Sequence, residues 1–500
     1  MTPARLSSPC LVVLLAILAA VSAARVAAAS DVQHWFACTL GDAPCGWLEF
    51  TEKVEDEKRT SVSRLRIILR RGESKVESGI ESRLIESLEG NPVEMSAIQE
   101  LGGNRIERKW LFLPNRIREL TVDGRRQRTA LRPIPEGTWY TTAQAQRKAA
   151  SMIDEPSSDA PVLICRVLDP SLGEKPVETK YFFTGRETLA TPEGPIECTA
   201  WRIKHADSPA SREWLDAGLR LVRARTELGG GLGEIEMRRA TRAEAQAGGN
   251  APEIMLSTVI SPTMPKGAFP HLDWTARLKM KVRRKDGGKL TLPSIGAQKV
   301  SGEDGELVTV DIRHGSPMVQ EEGVDWLAST PFADTTDEKI RSFASRAAGH
   351  RVSAADRAES IRESVYRHIS RKNLGTAFGS ASDTVRSRSG DCTEHAVLLT
   401  AALRSQGIPA RVVNGLIWVR NVPGGRSSAF LWHMWTQAHY DGKWWDLDAT
   451  LSGQRAFHAG HLAVSLNDLS TESFNRSATE MLEVLGNLDI EVLEADSGHE

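Results

Sequence analysis

Cysteine is scarce in this chain, with 6 in 500 residues, and none of them form the paired Cys-x-x-Cys spacing that a structural zinc framework uses. An excess of charge of one sign is also missing. The 63 basic and 65 acidic side chains leave a formal charge of -2, and they are interleaved, as in "EKVEDEKR" and "MKVRRKDGGK", so no basic face is set aside for phosphates. Nucleic acid is thereby excluded as a partner. Beyond the first thirty residues no run is long and apolar enough to span a bilayer. There is no fixed-period repeat and no extended low-complexity tract.

The hydrophobic share of 40% and charged share of 26% are ordinary globular values, and the length suggests two to four domains. The start reads as an export signal: Arg5, the apolar run "CLVVLLAILAAV", then small residues that offer cleavage after Ala23 or Ala29. At roughly 12 to 15 residues the apolar run is shorter than a spanning helix needs, and Cys10 precedes it, which is the wrong side for lipid modification. The expected product is an exported protein, periplasmic or secreted, with no stable membrane span once residues 1–29 are removed. Its thiols would be Cys38, Cys45, Cys165, Cys198 and Cys392, an odd number in an oxidising compartment, so one should stay free. Cys38 with Cys45 and Cys165 with Cys198 are candidate disulfides. The alternative is that all five are reduced core thiols.

Residues 31–247 consist mostly of short alternating runs, "SRLRIIL", "ERKWLFL", "ETKYFFT", "GLRLVRARTEL" and "EIEMRRA", separated by turn residues. This is the pattern of a largely antiparallel β region. "GGGLG" at 229–233 lies between two such runs without the helix and lysine of a phosphate loop, and reads as a hairpin turn. After the linker "AQAGGNAP", a smaller β-rich region spans 253–330, with "ARLKMKV", "LTL" and "ELVTVDI". The period then changes. "TTDEKIRSFASRAAG" and "SAADRAESIRESVYRHI" carry apolar residues three and four apart and read as helices. A third helix headed by "GDC", the strand "ARVVNGLIWV", a polar loop and two strands joined by Asp441-Gly442 complete an α+β domain over 331–470. Residues 471–500 read as a C-terminal extension.

Cys392 heads the third helix. Asp391 as N-cap with Glu394 three residues on makes a capping box, which puts the thiol in the first turn, where the dipole and unsatisfied N–H groups favour a thiolate. It is also the end of an apolar stripe with Ala396, Leu399 and Leu403, so a plain core role competes with a chemical one. If Asp441-Gly442 is a two-residue hairpin turn, Trp435 faces Asp448 and Gln437 faces Asp446. His433 is then one diagonal step from Asp448, within reach of a hydrogen bond, while Asp446 is farther along the same face. Cys392 as nucleophile, His433 as base and Asp448 as orienting acid supply the parts of acyl transfer. The oxyanion would be met by backbone N–H groups, that of Cys392 among them, with Asn373 the side-chain candidate.

The blocks "GDCTEHAVLLTAALRSQGIPARVV", "WHMW" and "WWDLDAT" resemble the transglutaminase-like superfamily, over about residues 355 to 455. The resemblance implies a papain-like core with Cys392, His433 and Asp448 as its triad, and accessory domains upstream. The expected fold class is therefore multidomain, N-terminal antiparallel β regions followed by an α+β papain-like transglutaminase core. Thr393 stands where the animal crosslinking enzymes have an aromatic residue, and no acidic cluster suggests their calcium sites. Hydrolysis or transfer at an amide of a protein or peptide, without a cofactor, is what the resemblance implies; protein crosslinking does not follow. Two rivals are weighed. A metal site would draw on Cys392 and His395, three apart on the helix, and on His433 and His439, which share a strand face, although His395 reads better as a residue that packs or supports the site and His439 as one that packs near Trp444 or faces solvent. A non-catalytic exported scaffold would keep the core without turnover. Of the tryptophans Trp418, Trp432, Trp435, Trp444 and Trp445, most are expected in the core, with one or two available to wall a cleft.

Overall fold

A computed structural model describes residues 31–71, 74–101, 104–123, 126–153, 155–157, 159–169, 175–206, 209–228, 232–254, 258–265, 275–302, 305–319, 325–372, 378–422, 426–453, 457–470, 473, 477, 480–481 and 483–496. The leader-like residues 1–29, Asn373 and most of "GGGLG" lie outside them. Among the described residues no helix is long and apolar enough to cross a membrane.

The N-terminal β region is one sheet of fifteen strands. The alternating runs read from the sequence supply its strands, for example Lys58–Arg71, Asn104–Leu113 and Glu234–Ala240, although in "GLRLVRARTEL" only Leu221–Glu227 is strand. Two meanders meet in its middle, where the first strand, Val32–Leu40, pairs antiparallel with the last, Glu234–Ala240, placing Trp35 opposite Ala240. Period-two alternation turns Phe36, Cys38 and Leu40 inward, as a half-buried strand requires. The start of the expected linker is ordered: Arg242–Gln246 forms a short helix capped reciprocally by Thr241 and Glu244, and residues 247–250 after it are in neither helix nor strand.

A second sheet, of four strands, takes in Gln298–Ser301, Val308–Arg313, Arg277–Arg284 and Leu488–Asp496, in that spatial order. "LTL" at 290–292 is not one of its strands. The end of the chain is no appendage, since Leu488–Asp496 pairs along the whole of Arg277–Arg284. The strand comes from 200 residues away in sequence, and its apolar Leu488, Ile490 and Val492 are buried there.

The two expected helices are Glu338–Ala348 and Ala354–His368, capped by Asp337 and Ser353. A short helix, Ala381–Ser387, follows, and then the cysteine helix, Cys392–Ser405. The last is not amphipathic as the stripe suggested: every side chain from Cys392 to Arg404 is buried, because helices cover one side and strands the other. Behind it lies a four-stranded sheet in the order Lys443–Leu447, Arg426–Tyr440, Ala410–Val422, His461–Asn467. The polar loop expected at 420–428 is narrower than its composition implied, because both flanking strands run into it.

Candidate active site

The cysteine helix begins as its capping residues dictate. Asp391 accepts from the Thr393 N–H at 3.0 Å, and Glu394 returns to the Asp391 N–H at 2.8 Å. Glu394 also accepts from the Gly379 N–H at 2.7 Å, so one carboxyl ties the incoming chain to the helix start. Burial, followed by the charge of Asp391, pushes this carboxyl up to about 8. The helix is fastened to the sheet by Thr436, whose hydroxyl donates to the Ala396 carbonyl at 3.0 Å.

The hairpin has the register its turn implies. Asp441 and Gly442 both have positive φ, 51° and 71°, the signature of a type I′ turn, and Gln437 faces Asp446 with Thr436 facing Leu447. Asp448 lies one residue beyond the paired strand, and its Oδ2 accepts from His433 Nε2 at 2.7 Å. Asp446 serves the framework, accepting from Trp435 Nε1 at 2.8 Å, Gln437 Nε2 at 2.7 Å and the Ala297 N–H at 2.9 Å. The other ring nitrogen of His433 makes no hydrogen bond to a described residue, and Cys392 lies near enough for its charge to act on this imidazole. Cys392, His433 and Asp448 are thus brought together, all buried.

Burial alone would lower the His433 pKa. The charges of Asp448 and Cys392, with the hydrogen bond to Asp448, outweigh it and raise His433 to about 10. The Asp448 carboxyl is driven the other way: burial would raise it, but His433 and His461 hold it well below the usual carboxylate range. Its Oδ1 accepts from the Thr450 N–H and hydroxyl, each at 2.7 Å, which explains why an Asp-x-Thr sequence suits this position. Arg362, fully buried, supports the same loop by donating to the carbonyls of Asp448, Leu451 and Gly453 at 3.3, 2.6 and 3.2 Å.

Two residues of the site escaped the sequence reading. His461 puts Nε2 at 3.1 Å from Asp448 Oδ2; the cue available was a histidine opening the alternating run "HLAVSL". Lys372 reaches the Nε2 of His395, whose Nδ1 donates to the Asp391 carbonyl. Burial first, and then the Lys372 charge, push His395 down to about 3, so it packs as a neutral ring beside the helix start. His439 lies against Trp444, with ring centroids 5.1 Å apart. The trio suited to an ion among the described residues is His433, Asp448 and His461, with ligand atoms within 4.8 Å of one another. Neither pair of the metal rival appears in it, and its three atoms already serve as mutual hydrogen-bond partners.

Gly415 permits this assembly. It faces His433 across the sheet, and a Cβ there would come within 2.1 Å of the Leu462 carbonyl and 2.8 Å of the Trp435 ring. Trp418, Trp432, Trp435 and Trp444 are buried. Trp445 instead stacks on Tyr440 and, with Leu447, Phe457, His314 and Glu359, walls a cavity of about 210 Å³ next to the Asp446–Asp448 segment.

The thiols do not pair. Among the described residues no disulfide joins any of Cys38, Cys45, Cys165, Cys198 and Cys392. For Cys165 and Cys198 the register forbids a bridge: Cys165 is level with Thr179 and, through it, with His205, seven residues along the strand from Cys198. That is roughly 23 Å at the rise of a strand, far beyond disulfide reach.

Residues 341–449 match the model of the Transglutaminase-like superfamily, so this part of the chain is a transglutaminase-like domain, the class its motifs resemble. No curated protein matches the sequence. Among solved structures, a putative cysteine protease from Cytophaga hutchinsonii is similar at 16% identity and a TM-score of 0.27, over 44% of this chain and 84% of that one. A putative protease from Parabacteroides distasonis is similar at 12% identity and a TM-score of 0.18, over 72% and 69%.

Proposed function

We propose that the chain is an exported cysteine enzyme that acts on amide bonds of proteins or peptides through a thioester on Cys392. The observation that carries this reading is His433, hydrogen-bonded to the Asp448 carboxylate and close enough to Cys392 to feel its charge, in a buried site. In this reading the sulfur attacks the carbonyl carbon and forms the C–S bond. The oxyanion meets the N–H groups at the helix start, and the His433 imidazolium gives its proton to the leaving nitrogen as the C–N bond breaks. Water, or an amine, then attacks the thioester; His433 takes the proton of the attacking group and the thiolate leaves. Water gives hydrolysis and an amine gives transfer. Asp448 holds the imidazole in one tautomer and supports its charged form. Export rests on the leader-like residues 1–29.

One observation favours the scaffold alternative: Cys392 is only 1% exposed. Comparison of wild type with Cys392→Ala on peptide libraries, with and without an added amine, separates the two. The expected result is product from wild type only, with a loss of roughly 10⁴-fold or more in the variant. Equal product from both would sink the nucleophile assignment. No product from either, together with no alkylation at Cys392, would favour the scaffold.

A further inference from the structure

Asp448 is shared by two histidines, and the second has no part in the chemistry above. Both nitrogens of His461 face oxygens that can only accept: Nε2 lies 3.1 Å from Asp448 Oδ2 and Nδ1 2.9 Å from the His458 carbonyl. For both contacts to be hydrogen bonds, both nitrogens must carry hydrogen. The ring is fully buried and clamped, stacked on Phe457 at 4.4 Å and set edge-on to Trp435 at 5.2 Å. Its strand is held in turn by the second sheet, where the Gln298 side chain exchanges two hydrogen bonds with the backbone of Ala463, at 2.8 and 3.0 Å.

We propose that His461 is a positioning residue for the acid, a double donor that aims Asp448 Oδ2 at His433 and draws off part of the carboxylate's hold on the His433 proton. The inference rests on the catalytic reading of Cys392, His433 and Asp448. An acid with one histidine would pin the imidazolium strongly; a second donor on the same oxygen weakens that grip, which eases proton delivery to the leaving nitrogen. The other titratable groups around the pair are Cys392, His395, Lys372, His314, Asp446 and His458. The Nδ1 of His458 accepts from the Gly460 N–H at 3.1 Å, so that ring carries no second proton.

The test uses the full chain as wild type, His461→Phe and His461→Gln, with Cys392 alkylation by iodoacetamide followed by mass from pH 5 to 11. Melting temperatures check the fold. The alkaline step that reports loss of the His433 proton is expected to move up in His461→Phe, because Asp448 Oδ2 loses a competing donor and its whole hold returns to the His433 proton. His461→Gln, which keeps a donor of different reach, should fall between, and carries the test if the Phe variant does not fold. In ¹⁵N-histidine-labelled wild type, both His461 nitrogens should show attached hydrogen. An unchanged step in a folded variant, a bare His461 nitrogen, or one equivalent of transition metal in the purified protein would overturn the proposal while leaving the triad standing. Wild type that is not alkylated at Cys392 would overturn the catalytic reading and this inference with it.

Discussion

The fifteen-stranded sheet and the transglutaminase-like domain both bury thiols, and they surround them differently. In the sheet, burial pushes Cys45 up to about 12 and Cys165 and Cys198 up to about 11, and drives Cys38 well above the usual range with help from its neighbour Cys45. These thiols are apolar filling. Cys392 is as buried as Cys38, yet it heads a helix and has His433 as a partner. Burial by itself therefore says nothing about a thiol's role; the neighbouring cation and the helix terminus decide it. A buried carboxylate in each region has partners on both oxygens, and the two differ in which groups supply them. Glu86 in the sheet accepts from the Thr141 hydroxyl at 3.2 Å and pairs with Arg59 at 3.1 Å, whose Nε and Nη2 make no hydrogen bond among the described residues. Asp448 has partners on both oxygens, from His433, His461 and Thr450.

The contrast can be broken most directly by competitive alkylation at pH 7. A thiol pushed up to about 11 holds on the order of one thiolate in 10⁴ at that pH, so a single iodoacetamide adduct, at Cys392, is expected before any at the other four. Adducts spread evenly over the five would erase the distinction. A smaller effect is expected from Gly415→Ala. The new methyl must displace the Leu462 carbonyl or the Trp435 ring, at a cost of about 1–3 kcal/mol, and it should separate the His461 strand from His433. Denaturant unfolding measures the first effect, and the alkaline step in Cys392 alkylation reads the second; a variant as stable as wild type would show that the close approach is not required. The smallest effect concerns Glu394, whose folded pKa of about 8 lies above its ordinary 4.5. The folded state then binds more protons than the unfolded one between those values, so stability is lost as pH rises from about 5 to 8. Glu394→Gln removes this slope. Its melting temperature should gain on wild type across that interval, whatever constant penalty the lost acceptor adds, and parallel curves would count against the buried neutral carboxyl.

Much of the candidate site was legible because its determinants are local. The Asp391–Glu394 capping box specifies where the cysteine helix starts, and Asp441-Gly442 specifies a two-residue turn, from which the pairing of Gln437 with Asp446 follows by counting. Asn373 could not be followed, since it lies outside the described residues. The disulfide between Cys165 and Cys198 failed for a reason invisible in spacing: strand-like runs say nothing of the register between them, and the offset of seven residues between Cys198 and His205 exists only once three strands are aligned. The pairing of the last strand could not be read for a related reason, because its partner strand lies more than 200 residues upstream.

By itself the sequence determined the period of each segment, the caps and turns at their ends, and the order of Cys392, His433 and Asp448 along the chain. These depend on residues within a few positions of one another. The tertiary structure alone decided that His461 would meet Asp448, that Gly415 would let the two strands close, and that the last strand would complete the second sheet. Those contacts join residues far apart in sequence through registers, bulges and packed faces, and no local propensity encodes them.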